Sequence, residues 1–403
     1  MINYLFYALI GCLLGTVTGL TPGLHVNTIA LIGLSLYPRL GLTPIEFAIA
    51  MVGMSVTHTF LDFIPSIYLG VPEEETALSV LPTHQLLLAG KAMEATKLTA
   101  YGSLLGLFYS IVFLIPALYL IPATYQCFRE YIVYVLIAAV LLLILREKKK
   151  NKIIAASAIL ILSGVLGMLM FRQKILSTTE VLFPVFVGIF GLSNIINSLQ
   201  NKQSQMVPQD KYIKVELDKN MLSSSLLGAI GGLLVGILPA MSPSQVGVLM
   251  YELMGSNIQR FIISVSAINT SDAIYSFISL YTINNPRSGV ATMVGKVLLI
   301  DFNTLMLLVG VTAFVGFIAT IIHIRIGEAA LDLVERIDYR MLSALSMLVV
   351  LVLVYSLTGF MGLYAAFVAT SIGLLPILSG VSRTHCMGVL IIPTALFFLG
   401  INI

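Results

Sequence analysis

Two carboxylates stand where carboxylates are costly. Asp62 lies in "TFLDFIPSI" and Asp272 in "NTSDAIYSF", both within apolar stretches, and an ionisable residue in such a setting is a functional candidate by default. Each must stay charged beside a cation or take up a proton, because one of the two has to meet its desolvation cost. Thr59 and Asn269, with Thr270 and Ser271, bring hard oxygen atoms of the kind small cations favour. Asp62, Thr59, Asn269 and Asp272 are therefore candidates for coupling Na⁺ or H⁺. Two other readings stay open, namely structural hydrogen bonds to broken backbone and a loop closer to water. His58 either relays protons or bonds a neighbouring helix. Glu73, Glu74 and Glu75 follow Pro72 and read as a solvated helix start.

A second set of polar groups sits at two breaks. "GLTPGLHVN" begins at Gly19 and "ILPAMSPSQV" at Ile237. Pro22 donates no backbone hydrogen bond and Gly23 tolerates unusual dihedrals, so the first helix should break around Leu20 to Leu24 and a second restart near His25. Broken backbone at membrane depth survives only where protein or a water-filled cavity supplies partners. The restarted helices would turn free N–H groups toward the break, which suits a carboxylate or a phosphate. Thr21, Pro22, Gly23, His25 and Asn27 in the first segment, and Pro239, Ser242, Ser244 and Gln245 in the second, are the candidate substrate contacts. The competing reading is a pair of proline kinks with small residues for close helix packing.

The elements that must position these groups are membrane helices. The chain has 403 residues, 58% hydrophobic and 10% charged, against about 25% charged in an ordinary soluble domain. Apolar runs long enough to cross the hydrocarbon layer recur throughout. The start, "MINYLFYALIGCLLG", reads as a mature first helix rather than a cleaved leader. Setting Pro239 opposite Pro22 places Gly228, Gly232 and Gly236 opposite Gly11, Gly15 and Gly19, which is the mark of an internal repeat. A weaker correspondence sets Asp272 opposite Asp62. The expected organisation is a first membrane repeat over residues 1–200, a cytoplasmic linker over 201–220, and a second repeat over 221–403.

Basic loops collect on the cytoplasmic side. "REKKKNK" (Arg146 to Lys152), the linker, "HIRIGEAALDLVERIDYR" (His323 to Arg340) and "GVSRTH" (Gly380 to His385) are placed there, with Arg129 and Lys174 outside. Spans near Ile153–Phe171 and Val181–Leu199 run out and back, and a last span near Met387–Leu399 ends outside. The two halves are then of opposite orientation. The fold class expected is an all-α polytopic plasma-membrane protein of two inverted repeats, whose broken re-entrant or discontinuous helices meet near the midplane.

Several functions are disfavoured. Cys12, Cys127 and Cys386 are isolated and show no metal-ligand or disulfide spacing. The net charge of +3 reflects loops beside spans, so no nucleic-acid partner is expected. There is no phosphate-binding loop of the G-x4-G-K-[ST] type and no HExxH motif. An intramembrane aspartyl protease could pair the two carboxylates, but lacks the Gly-x-Gly-Asp signature. A passive channel sits poorly with an internal duplication. No cofactor is expected beyond a coupling ion.

The motifs "GLTPGLH" at Gly19, "IPSIYLGVPEEETALSVLPTHQLLLAGKAMEATKLTAYGSLLG" at Ile64 and the counterpart "GILPAMSP" at Gly236 resemble those of the large membrane subunit of the tripartite tricarboxylate transporters, the TctA-type permeases. Pro65-Ser66 and Leu81-Pro82 depart from that family's Pro-Gly and Tyr-Pro, and the chain is shorter. The resemblance implies secondary transport of a carboxylate, with a small membrane subunit and an extracytoplasmic solute-binding protein as partners. Polyprenyl-phosphate translocases carry comparable Pro-Gly hairpins, and the same tips could hold a lipid phosphate.

Overall fold

The protein is described from a computed structural model that covers every residue except 1, 23–25, 72–75, 77–79, 129–130, 146, 174–177, 201–206, 238–242, 244–245, 248–249, 251–256, 287, 335–338 and 402–403. The described residues form helices and connections, with no strand among them. Seven of these helices are long and apolar enough to cross a membrane. In chain order the first half contains α1 (Ile2–Leu20), α2 (Val26–Leu40), α3 (Pro44–Leu61), α4 (Phe63–Tyr68), α5 (Val80–Leu88), α6 (Ala92–Val112) and α7 (Leu114–Phe128). It continues with α8 (Ile132–Leu145), α9 (Lys150–Arg172), α10 (Thr178–Phe186), a π-helical turn (Val187–Leu192) and α11 (Ser193–Gln200). The second half contains α12 (Lys219–Ile237), α13 (Ile258–Ile283), α14 (Gly289–Val297), α15 (Phe302–Val334), α16 (Tyr339–Ser379), a 3₁₀ turn (Arg383–Met387) and α17 (Gly388–Phe398).

Local chemistry sets several of these boundaries. Thr43 and Glu46 form a reciprocal capping box that starts α3, with Pro44 at its first position. Pro65 cannot return a hydrogen bond to Leu61, and the chain jogs at Asp62 between α3 and α4. Pro116 likewise denies Val112 its partner, and α6 and α7 meet at a 78° bend. Gly359, at φ 63° and ψ −159°, divides the long α16 run into two helical stretches.

Two bundles result. One is built on α1, α3, α6, α12, α13 and α15, with a core that includes Phe47, Met54, Phe60, Tyr275, Ile278 and Leu305. The other gathers α9, α10, the π turn, α16 and α17 around Ile159, Phe186, Phe190, Ala369 and Met387. Val71, just after α4, packs with Val187, Val350 and Val354 where the bundles adjoin. In the first bundle the third long helix of each half crosses to the other half. On α6, Gly102 and Gly106 lie against Ile263 and Ala267 of α13, while His323 of α15 reaches the Phe60 carbonyl of α3.

Two sequence expectations are corrected. His323 to Arg340 is not a loop throughout, because α15 runs unbroken to Val334 and His323 is fully buried in it. Its apolar period continues past the charged residues, which lie on the outer face. The last span is also short: α17 has 11 residues after a 3₁₀ turn, where a full crossing takes about 20.

The described part of the linker, 207–218, is non-helical, and Lys219 and Asn220 already belong to α12. It is strapped across the α5–α6 turn. Gln209 donates from Nε2 to the Leu87 carbonyl (2.9 Å) and accepts at Oε1 from the Ala92 N–H (3.2 Å). The Asp210 N–H donates to the Gly90 carbonyl (2.9 Å), and Lys97 Nζ to the Ile213 carbonyl (2.7 Å).

Candidate functional site

The glycine triplets dock the first helix of each half onto the next long helix. A Cβ on Gly11 would stand 2.9 Å from Gly53 Cα, one on Gly15 2.6 Å from Thr57 Cβ, and one on Gly19 2.8 Å from Leu61 Cβ. In the second half the corresponding contacts are Gly228 to the Ser264 oxygen (2.7 Å), Gly232 to the Ile268 oxygen (3.1 Å) and Gly236 to Tyr275 Cβ (3.0 Å). No side chain fits in either seam, so the backbones approach as closely as small residues allow. The seams run to the described ends of α1 at Leu20 and α12 at Ile237.

Asp62 lies at the α3–α4 jog and is 1% exposed. Across the interface, buried Asn269 of α13 donates from Nδ2 to Asp62 Oδ2 (2.9 Å) and to the Thr59 carbonyl (3.4 Å). Three of the four expected coupling residues are thereby in one place. Thr59 contributes its carbonyl there, since its hydroxyl donates back to Val56 (2.9 Å). Thr270 and Ser271 also turn their hydroxyls to their own helix, at Ser266 (2.6 Å) and Ile268 (3.1 Å). Asp272 is half-buried one turn beyond Asn269 on the same face, and its Oδ1 lies 3.9 Å from where a Cβ on Gly236 would stand. It thus faces the last turn of α12.

Of the expected substrate contacts, Thr21 is half-buried and Pro22 buried at the end of α1. The Thr21 N–H donates to the Thr18 carbonyl (3.3 Å). Gly23, His25, Pro239, Ser242, Ser244 and Gln245 lie outside the described residues, as does the side chain of Asn27. His58 is buried one turn before Asp62, with Nδ1 3.1 Å from Thr18 Oγ1.

Other buried polar groups were not singled out by the sequence. His323 joins α15 to α3 and α6 and was hidden by its basic surroundings. Glu94, 6% exposed on α6, accepts from Gln259 of α13. It borders a cavity of about 490 Å³ between the linker and the start of α13, shared with Lys214, Asp218 and Arg260. In the second bundle, Glu147 accepts from the Ser382 N–H (2.8 Å) and pairs with His385 Nε2 (3.0 Å). Burial raises the Glu147 pKa, but the Ser382 and His385 hydrogen bonds outweigh it and hold the carboxyl below its usual range. Arg383 caps carbonyls of the π turn, at Ile189 (2.7 Å) and Phe190 (3.2 Å). A widened turn leaves such carbonyls without their usual partners. "GVSRTH" held that signal, since an arginine among apolar residues needs several acceptors.

Among the described residues, helices alone and seven candidate spans make this a multi-pass membrane protein. The chain belongs to the tripartite tricarboxylate transporter TctA family, whose family model matches residues 5–388. It is 31% identical to an uncharacterized protein of Methanocaldococcus jannaschii, over 99% of this chain and 100% of that one. No solved structure matches it.

Proposed function

We propose that the chain is an ion-coupled secondary transporter for a small organic anion such as a di- or tricarboxylate. The observation that carries this is the Asn269–Asp62 hydrogen bond (2.9 Å), which ties the two halves together at the α3–α4 jog through a buried carboxylate. A carboxylate there binds a cation or a proton, and each choice changes the charge at the interface between the halves. The halves act as inverted repeats that rock against each other, exposing the broken tips alternately to each side. The matching glycine seams support that reading, since they build each half from the same helix pair. Thr21, Pro22, Gly23, His25 and Asn27 with Pro239, Ser242, Ser244 and Gln245 form the anion site, and Thr59, Asp62, Asn269 and Asp272 the coupling site for Na⁺ or H⁺. Family membership supports a small membrane subunit and a solute-binding protein as partners, and a cytoplasmic linker follows from the basic loops.

The test is uptake by the purified protein in liposomes, comparing succinate, citrate and a polyprenyl phosphate under sodium and proton gradients. Accumulation of a carboxylate that depends on one gradient is expected, and Asp62→Asn and Asp272→Asn should weaken that dependence. Movement of the polyprenyl phosphate alone would replace the proposal with a lipid-carrier translocase. Unchanged sodium and pH dependence in both variants would remove the carboxylates from coupling.

A further inference from the structure

His323 is fully buried between three helices, and its hydrogen bonds define its proton inventory. Nδ1 lies 2.6 Å from the Phe60 carbonyl of α3. A carbonyl only accepts, so Nδ1 carries a hydrogen in every state. Nε2 lies 3.1 Å from Thr99 Oγ1 of α6. That hydroxyl has a single hydrogen and two alternative acceptors besides the ring, the Ala95 and Thr96 carbonyls, each at 3.0 Å.

Two complete bonding patterns follow. With the imidazole neutral, Thr99 donates to Nε2. With one proton added at Nε2, the ring donates to Thr99 Oγ1 and the hydroxyl hydrogen turns to Ala95 or Thr96. Both states keep every ring nitrogen bonded, and a hydroxyl rotation is the only movement needed. A histidine buried for structure alone requires one satisfied state; this site satisfies two.

We propose that His323 is a proton-binding site of the transport cycle, loaded and unloaded at Nε2 through the Thr99 hydroxyl. This rests on the reading of the chain as an ion-coupled transporter. Its place suits the task, since the accepting Phe60 carbonyl is two residues before Asp62 and in the turn that ends at the α3–α4 jog. A charge gained on the ring bears on the helix end that carries the coupling carboxylate.

The other ionisable groups around it are accounted for. From α3 come His58 and Asp62, and from α4 Tyr68, whose hydroxyl donates to the Gly327 carbonyl (2.8 Å). From α6 come Glu94, bonded to Gln259, and Lys97, bonded to the Ile213 carbonyl. From α13 comes Asp272, while α1 has no acidic or basic side chain. On α15 itself, Arg325 and Glu328 pair with each other at 3.2 Å on the exposed face.

The experiment has two readouts. Histidine-selective nitrogen-15 NMR of the purified full chain in nanodiscs reports each of the five histidines, with His323→Gln identifying its own signal. The His323 signal is expected to pass between neutral and doubly protonated shifts within the pH range where the protein stays folded, with a midpoint moved by Thr99→Val. A signal held at one neutral tautomer throughout overturns the proposal. This readout stands even if no carboxylate is transported, so failure of the transporter reading is seen separately in the wild-type uptake assay. In proteoliposomes, His323→Gln should keep citrate counterflow and lose citrate accumulation driven by a proton gradient. Wild-type accumulation in that variant overturns the proposal, and so does loss of both activities with unchanged thermal stability.

Discussion

Removing Asn269 tests whether the Asp62 contact is a charged one. Asn269→Ala takes away the amide donor 2.9 Å from Asp62 Oδ2 and 3.4 Å from the Thr59 carbonyl, at a carboxyl that is 1% exposed. A hydrogen bond to a charged group contributes about 1.5–3 kcal/mol, and one between neutral groups about 0.5–1.5 kcal/mol. A double-mutant cycle with Asp62→Ala removes the packing losses common to both and leaves the pairwise interaction. The coupling energy expected for an ionised Asp62 is therefore about 1.5–3 kcal/mol, and about half that once the carboxyl is protonated. Reversible unfolding in mixed detergent micelles, repeated across pH, measures both. With the carboxyl ionised at high pH, the coupling should fall as pH is lowered. Additivity within about 0.5 kcal/mol at every pH would refute the contact as a link between the halves.

Three further outcomes are expected. Gly11→Ala sets a methyl 2.9 Å from Gly53 Cα, so it should lower thermal stability by about 1–3 kcal/mol through overpacking, whereas Gly310→Ala, with nothing within 4 Å, should be neutral or better by up to about 1 kcal/mol from helix propensity. Glu147 has a folded pKa below its unfolded one, so its stabilising contribution is present above the unfolded value and lost as pH falls through the folded value; Glu147→Gln should flatten the melting temperature against pH on the acid side. Single cysteines at Lys150 and Lys211, in a chain without Cys12, Cys127 and Cys386, should label with an impermeant maleimide from the same side of sealed vesicles.

How far the sequence foretold this arrangement depends on the kind of signal each residue leaves. The membrane class, the glycine seams and the carboxylates in apolar helices were legible because each is a local violation: too little charge, glycines in register, Asp among apolar residues. The partnership of Asp62 with Asn269 was legible only as a shared list of residue types, since nothing local says that α13 crosses the end of α3. Thr270 and Ser271 look like cation ligands in sequence, yet each spends its hydroxyl on its own helix, a choice that any mid-helix hydroxyl has open. His323 was obscured for the opposite reason. Its neighbours Arg325 and Glu328 are charged because they face outward, and a helix places inward and outward residues two apart.

The glycine seams also change which residues stand in equivalent places. Gly19 meets His58 and Leu61, and Gly236 meets Asp272 and Tyr275. Residue for residue, Asp272 therefore answers His58, and Asp62 answers Ser276. The pairing of the two carboxylates read from sequence is one helical turn out of step. Ser276 is occupied locally, donating to Ser288 Oγ (3.0 Å) and accepting from the Ser288 N–H (2.7 Å). The two halves thus share a scaffold but divide the ionisable groups unequally: an imidazole and then a carboxylate along α3, a carboxylate and then a hydroxyl along α13. In the proposed cycle, two identical carboxylates at equivalent positions would bind the coupling ion equally in both orientations of the repeats. In the proposed cycle an unequal pair lets the affinity for the ion differ between the two orientations, and such a difference is what a bound ion needs in order to shift their balance.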